Sequence, residues 1–262
     1  MARAKRHYLP GHIWHITHRC HKKEFLLKFS KDRNRWLQWL YQARKRYGLT
    51  ILNYMVTSNH IHLLVVDDGD RDVIPRSMQL VAGRTGQEFN QRKGRNGAFW
   101  EDRYHATAIE GGEHFFRCCA YIDLNMVRAG VVDHPSQWPC SGYNEIQKPR
   151  RKNVLIDYEK FMELLGTGNY DQARQDHQGW AAGLLGNGSC RDDKWSRSIA
   201  IGSKEFVETV KTRLGILAKG RKATETDVGY QLREPAKSYM HHLGAKKDDI
   251  APGNGYFWNI NI

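Results

Sequence analysis

Two apolar strands joined by a very short turn are the feature that most limits how this chain folds. Residues 49–57 (LTILNYMVT) and 60–66 (HIHLLVV) are rich in the β-branched and large apolar residues that strands favour. Only Ser58 and Asn59 separate the two segments, and a two-residue connection joins neighbouring antiparallel strands. The pattern therefore predicts a tight antiparallel β-hairpin.

The segments on either side of the hairpin continue an alternation of strands and helices. Residues 12–19 and 99–110 alternate apolar and polar side chains, as half-buried strands do. Helical spacing of apolar residues follows in 32–47, in 74–91 despite two internal glycines, and from Glu113 to Arg128. The order strand, helix, strand, strand, helix, strand, helix predicts a ferredoxin-like α+β fold with an antiparallel sheet and helices on one face.

The composition changes after Tyr143, where this regular alternation ends. Residues 145–153 (EIQKPRRKN) are typical of a charged linker, and the helical patterns beyond it are short, apart from 203–217 (SKEFVETVKTRLGIL). We therefore expect one domain at 1–144, followed by a linker and a smaller, mainly helical C-terminal extension at 145–262.

The chain is strongly basic, because 41 Lys and Arg residues stand against 28 Asp and Glu residues and give a net charge of +13. Such an excess favours a polyanionic partner, with nucleic acid first and an anionic membrane surface second. A basic, solvated surface without a specific partner is the alternative that charge alone leaves open.

The sequence gives no support for membrane insertion. No run approaches the ~18 apolar residues of a spanning helix, and no apolar signal core follows the basic N-terminal residues. The cysteines are five in number and lack the paired spacing of a zinc ribbon or a disulfide framework. We therefore expect reduced thiols, a cytoplasmic location and no membrane partner.

A His-x-His pair lies on the second strand of the hairpin. Residues two apart on a strand face the same side, about 6.6 Å apart, so His60 and His62 both point to one face of the sheet. Two neutral imidazoles in this arrangement can bind one divalent metal ion. Taken alone, the pair is a weak signal, and unrelated surface or core histidines are the favoured explanation.

Tyr121 and Asn125 lie four residues apart on the last predicted helix, and therefore on the same helical face. The phenol is a potential nucleophile, and an amide oxygen is a competent ligand for Mg²⁺ or Mn²⁺. The alternative is a half-buried aromatic residue followed by a capping or solvated amide. His15, on the first strand, is a candidate for the surroundings of such a site or for a structural role.

Several ordered segments resemble one family. SNHIHLLV (58–65) resembles the His-hydrophobe-His (HUH) motif of single-strand nucleases. YLPGHIWHITHR, FWEDRYHA and AYIDLNMVRAGVVDHPSQWPCSGY resemble the REP-associated tyrosine transposases, and the similarity spans residues 8–143. The stretch 195–233 is similar to a C-terminal extension that some members carry. The chain departs from the family pattern at Met126, where proline is usual, and at His105, where lysine is common.

The resemblance implies an enzyme that nicks and rejoins single-stranded DNA beside hairpin-forming palindromes, in association with the nucleoid. It implies that His60 and His62 are catalytic metal ligands for Mg²⁺ or Mn²⁺, and that Asn125 completes the metal site. It also implies that Tyr121 is the nucleophile, which forms a 5′-phosphotyrosine bond and expels a 3′-hydroxyl. Storage of the bond energy in this link allows rejoining without ATP.

Basic and aromatic residues around these motifs are candidates for DNA binding. The predicted set is Arg19, Arg84, Arg92, Lys93, Arg95, Arg103, Tyr104 and Arg128. Trp14 and Trp100 are further candidates for stacking on unpaired bases. For each residue taken singly, a solvated cation or a core aromatic is the alternative.

Two other functions remain open on the sequence. One is a non-catalytic, ferredoxin-like module that binds single-stranded nucleic acid. The other is a metal-dependent hydrolase with a water nucleophile, which would tolerate the loss of Tyr121. The sequence leaves the choice between monomer and dimer open.

Overall fold

The computed structural model describes residues 9–67, 69–185 and 193–233. The strands in these ranges are β1 Ile13–Arg19, β2 Thr50–Val56, β3 His60–Val66, β4 His105–Ile109, β5 Ala200–Gly202, β6 Lys222–Thr226 and β7 Gly229–Arg233. The α-helices are α1 Ser30–Tyr47, α2 Val73–Lys93, α3 Glu113–Asp123, α4 Asn125–Arg128, α5 Gly142–Gln147, α6 Tyr158–Leu165, α7 Tyr170–Leu185, α8 Lys194–Arg197 and α9 Lys204–Leu214.

The strands form one sheet in the order β2-β3-β1-β4-β5-β7-β6. Its first four strands are antiparallel and have the order of a ferredoxin-like unit, so the predicted α+β fold and its hairpin are confirmed. β5 then pairs with β4 in parallel, and the β6–β7 hairpin completes the far edge. The C-terminal region therefore continues the sheet of the N-terminal unit.

Both faces of the sheet are covered by helices. α1 and α2 pack on each other over the face that carries His18, whose ring stacks on Trp100; the Trp100 indole in turn donates to the Ala82 carbonyl of α2. α3 crosses the opposite face, where the Asn53 amide of β2 donates to the Asp123 carboxylate at 3.0 Å. The expectation of helices on one face thus holds for α1 and α2, whereas α3 covers the other.

The predicted strand at 99–110 is shorter in the structure. Regular pairing covers only β4, and Trp100 forms an isolated bridge with Cys20. Three consecutive charged residues, Glu101 to Arg103, are exposed and bend the chain before β4 begins. A strand in this sheet would have to bury at least one of three consecutive charged side chains, so the segment stays outside the sheet.

The C-terminal region contains strands that its sequence did not predict. β5 has three fully buried residues, and β6 (KATET) is a polar edge strand; neither has the alternation that indicates a half-buried strand. The predicted helix at 203–217 is present as α9, with Ser203 accepting from the Phe206 amide at its N-terminus. The expected boundary at 144/145 falls inside α5, and residues 234–262 lie outside the described residues.

None of the helices within the described ranges is long and apolar enough to cross a membrane.

Candidate active site

The register of the sheet brings His15 and the two predicted metal-binding histidines to one face. Thr17 of β1 pairs with His62 of β3, and cross-strand partners share a face. His15 and His60 each lie two residues from one member of this pair and therefore point the same way. α3 packs over this face, so its side chains meet the histidines directly.

His60 is oriented by its own hairpin. The Thr57 hydroxyl donates to the His60 carbonyl at 2.8 Å, which leaves its oxygen as an acceptor for the imidazole Nδ1, 3.0 Å away. The side-chain oxygen Oδ1 of Asn59 accepts from the same nitrogen at 2.7 Å. Nδ1 therefore carries the ring hydrogen, and Nε2 is the nitrogen with a lone pair to give to a metal.

His62 is buried and has a polar partner at each ring nitrogen. Its Nδ1 lies 2.9 Å from His15 Nε2, and its Nε2 lies 3.0 Å from the Asn125 amide nitrogen. Burial is the main reason why the pKa of His62 lies well below its usual value, and the nearby imidazole of His60 lowers this pKa further. The imidazole is therefore neutral near pH 7, as a metal ligand must be.

Tyr121 lies on α3 with its ring against the histidines. Its centroid is 5.7 Å from that of His62, with the rings nearly perpendicular at 86°, and only 7% of the residue is exposed. The Arg128 guanidinium lies 4.3 Å from the centre of the Tyr121 ring and also donates to the Tyr121 carbonyl. A permanent cation thus stacks on the phenol, an arrangement that favours negative charge nearby.

The helix predicted from Glu113 to Arg128 is interrupted at Leu124, where φ −82° and ψ 4° end α3. The chain resumes in the short helix α4, with Met126 buried inside it. This break carries the Asn125 amide to 3.0 Å from His62, and it brings Arg128 back over α3. The absence of proline at Met126 therefore does not produce one continuous helix.

A groove of about 650 Å³ opens over these residues. Its walls come from β1, β3, the segment before β4, the α3–α4 break and α8. The cationic residues that line it are Arg19, Lys23, Arg103, Arg128 and Arg197. The acidic residues that line it are Glu101, Asp102 and Asp193. Its charge is therefore mixed, with the cations in excess.

Of the predicted DNA-binding residues, Arg19, Arg103 and Arg128 line this groove. The others on α2 and just after it contact different partners: Arg84 with Glu88, Arg92 with Asp32, Lys93 with Phe29, and Arg95 with Glu24. These four cations belong to the face of α1 and α2, on the far side of the sheet from Tyr121.

The aromatic residues predicted to stack on DNA bases lie in different places in the structure. Trp14 is 3% exposed, so its proposed contact with DNA bases is wrong, and it is a core residue instead. Trp100 stacks on His18 with centroids 4.1 Å apart, and Tyr104 lies edge-on to the same imidazole at 6.4 Å. Trp100 and Tyr104 therefore lie on the opposite face of the sheet from His60 and His62.

Sequence reasoning missed several residues that line the groove, among them Lys23, Asn59 and Arg197. Lys23 and Asn59 come from the turns beside the histidine strand, and Asn59 was visible only as a turn residue. Arg197 of α8 comes from the C-terminal region, where no local pattern connects it with His60 or His62. Long-range contacts carry α8 to this position, among them the pairing of β5 with β4 and the hydrogen bond from the Thr107 hydroxyl to the Ser198 carbonyl.

The residues present fit a divalent metal of the Mg²⁺ or Mn²⁺ type. No cluster of three His, Cys, Asp or Glu residues suited to a metal occurs within the described ranges, so the two histidines need a ligand of another kind. Rotation of the Asn125 amide would exchange its nitrogen for its oxygen beside His62 and would supply such a ligand. Three protein ligands of this kind would leave coordination positions for phosphate oxygens.

We expect the free energy of unfolding of the metal-free protein to fall as the pH is lowered below about 6.5. Unfolded His15 takes up a proton near that pH, whereas burial lowers the pKa of the folded imidazole to about 3. The unfolded state alone binds this proton, so the contribution to stability is full above pH 6.5 and is lost progressively towards pH 3. Down to pH 5 the loss from this one group is about 2 kcal/mol.

Urea unfolding at pH 7 and pH 5 measures this loss, with His15→Gln as the comparison because glutamine does not titrate. The variant should lose about 2 kcal/mol less than the wild type between the two pH values. Equal losses in both proteins would contradict a neutral, buried His15.

A family model matches the part of the chain that carries these residues. It is described as IS200-like transposase and matches residues 9–125, from just before β1 to the asparagine beside His62. The match covers a little under half of the chain and agrees with the transposase family predicted from the sequence. The matched segment includes His60, His62, Tyr121 and Asn125.

Two solved structures are similar to the chain at low identity. One is a REP-associated tyrosine transposase bound to a REP hairpin; it is 18% identical and aligns over 60% of this chain and 95% of its own, with a TM-score of 0.47. The other is a protein of Deinococcus radiodurans R1 assigned as a transposase; it is 15% identical and aligns over 50% of this chain and 98% of its own, with a TM-score of 0.33. No curated protein gives a match.

Proposed function

We propose that this transposase nicks and rejoins single-stranded DNA beside a hairpin, through a covalent 5′-phosphotyrosine on Tyr121. The observation that carries the proposal is the meeting of four groups in one groove: the Tyr121 phenol, the His60–His62 pair, the Asn125 amide and the Arg128 guanidinium. A nucleophile beside ligands for a divalent metal is the arrangement that phosphoryl transfer requires.

His60, His62 and Asn125 would hold the metal ion, Mg²⁺ or Mn²⁺. When bound there, the cation would polarise the scissile phosphate and stabilise charge on its oxygens. The protein prepares the ligands in advance, because both imidazoles are held by hydrogen bonds at Nδ1 and so direct Nε2 towards the groove.

Tyr121 attacks the phosphorus atom of the bound strand. The phenol loses its proton as its oxygen forms the bond to phosphorus, and the bond from phosphorus to the 3′-oxygen breaks. The departing oxygen takes up one proton to become a 3′-hydroxyl, so the proton released by the phenol is balanced. Attack by a 3′-hydroxyl on the phosphotyrosine reverses the step and restores the phenol. Arg128, stacked on the ring, stabilises the ionised phenol and the phosphate that approaches it.

The shape of the site favours an unpaired strand. Tyr121 is 7% exposed and lies at the base of the groove, so the scissile phosphate must enter between the sheet and α3. A regular duplex resists that bend, whereas a single strand accepts it. Arg19, Lys23 and Arg103 line the groove and would bind the flanking phosphates. We infer from the family resemblance that the strand lies beside a palindromic hairpin at the nucleoid.

We expect the protein to nick single-stranded oligonucleotides that carry an imperfect palindrome, at a fixed distance from the stem. The perfectly paired duplex of the same sequence should stay uncut, because its phosphates cannot reach Tyr121. A denaturing gel of end-labelled substrates with Mg²⁺ compares the two forms, and a scrambled single strand of equal composition controls for the hairpin.

Equal cutting of the duplex would contradict the single-strand mechanism and favour an ordinary metal-dependent nuclease. If the scrambled strand is cut as well as the palindromic strand, the cleavage chemistry would still hold, but recognition of the hairpin would be refuted.

A further inference from the structure

A chain of hydrogen bonds connects the C-terminal region with the proposed metal site. The His15 Nδ1 lies 2.7 Å from the carbonyl oxygen of Trp195 in α8, and the His15 Nε2 lies 2.9 Å from the His62 Nδ1. A carbonyl oxygen can only accept a hydrogen bond, so the His15 Nδ1 must carry a hydrogen. The direction of the first bond is thereby determined.

The direction of the second bond follows from the other side of His62. There the Nε2 of His62 faces the Asn125 amide nitrogen at 3.0 Å, and an amide nitrogen can only donate. The hydrogen of His62 therefore lies on Nδ1, which donates to the Nε2 of the fully buried His15. The centroids of the two rings are 5.1 Å apart and their planes differ by 13°, which places them edge to edge along this bond.

These directions leave the hydrogen of His62 on Nδ1 and the lone pair on Nε2. A histidine with the hydrogen on Nε2 would present a donor to the metal and could not bind it. The tautomer of His62 therefore decides which of its ring nitrogens can bind a cation in the groove.

We propose that His15 is a positioning residue, through which the Trp195 carbonyl fixes the tautomer and ring orientation of His62. The proposal rests on the proposed function in one respect, namely that His62 is a metal ligand. Partners of this kind behind a metal-binding histidine hold the ring in place and raise its basicity.

The two histidines of the pair are thus ordered by distant parts of the chain. His60 is held by Thr57 and Asn59 of its own hairpin, whereas His62 depends on α8. α8 is itself fixed, because the Thr107 hydroxyl of β4 donates to the Ser198 carbonyl at 2.6 Å and β5 pairs with β4. The C-terminal region is therefore a component of the catalytic site as well as an extension of the sheet.

The first test reads the proton on His62 in the full chain without metal. Isotope-labelled histidine and long-range heteronuclear NMR correlations distinguish the two tautomers, and the loss of one ring system in His62→Gln assigns the signals. We expect the hydrogen on Nδ1 in the wild type. A hydrogen on Nε2 overturns the proposal without any further variant.

The second test measures Mn²⁺ affinity by calorimetry in two variants of His15. His15→Leu removes both hydrogen bonds and should weaken Mn²⁺ binding by about 10-fold to 100-fold, with a mixed tautomer at His62. His15→Gln keeps a donor for Trp195 and an acceptor for His62, and it should bind Mn²⁺ close to the wild type. Hairpin binding should be similar in all three proteins, which controls for folding.

Wild-type affinity in His15→Leu would overturn the proposal, as would equal losses in both variants with an unchanged His62 tautomer. A wild-type protein that binds no Mn²⁺ would instead refute the metal site of the proposed function. The tautomer, which is measured without metal, would still decide the role of His15.

Discussion

Tyr121→Phe should abolish cleavage while leaving hairpin binding close to that of the wild type. The substitution removes one hydroxyl group, and loss of the nucleophile should lower cutting by about three orders of magnitude or more. The remaining ring keeps its contacts with His62 and Trp195 and still accepts the Arg128 guanidinium on its face. A denaturing SDS gel with labelled DNA should show a covalent adduct for the wild type and none for the variant.

Tyr104→Phe is the matched control, because Tyr104 packs beside His18 on the other face of the sheet. It should form the adduct as the wild type does. Undiminished cutting by Tyr121→Phe without an adduct would favour a hydrolase that uses water. Hairpin binding by the wild type without either cutting or an adduct would favour a non-catalytic binding module.

Removal of the metal or of either histidine should have the next largest effect. Chelation, His60→Ala or His62→Ala should lower cleavage by on the order of 100-fold or more, because the phosphate loses its electrophilic activation. Asn125→Ala should cost less, about 10-fold, since water can replace an amide oxygen in the coordination of Mg²⁺. Cleavage rates across a Mn²⁺ titration, with affinities from calorimetry, measure both effects.

His105→Gln is the matched control for the histidine variants. His105 lines the same groove, but its Nε2 lies 2.9 Å from the Ser198 carbonyl, and a glutamine amide can also donate to that oxygen. The variant should keep the wild-type dependence on Mn²⁺. Full cleavage in excess chelator by the wild-type protein would contradict the metal assignment.

The ferredoxin-like half of the fold was predictable because its patterns are local. The hairpin of β2 and β3 needs only two short segments and the turn at Ser58 and Asn59, and α1 shows its apolar spacing directly. β5 has three residues and joins the sheet by parallel pairing with a strand far away in the chain. No local pattern contains that information, so β5 to β7 were missed.

The central residues of the site were predictable for the same reason. His60 and His62 are related by the period of a strand, while Tyr121 and Asn125 are related by the period of a helix. The remaining step, the approach of α3 to β3, came from the family resemblance.

The basic residues that line the groove were harder to predict. A basic residue such as Arg92 looks the same in sequence whether it faces DNA or an acidic partner such as Asp32. The role of His15 was equally hidden, because its partner Trp195 lies 180 residues away.

Because Trp195 lies 180 residues after His15, the ribosome synthesises it considerably later. At about 5–20 residues per second, the ribosome delivers Trp195 roughly 10–40 s after His15. In the later part of this delay, once Tyr121 has been added, the nascent chain contains both His60 and His62 as well as Tyr121, but not the Trp195 carbonyl proposed to order His62. The proposed active site is therefore completed only after α8 has emerged and β5 has paired with β4.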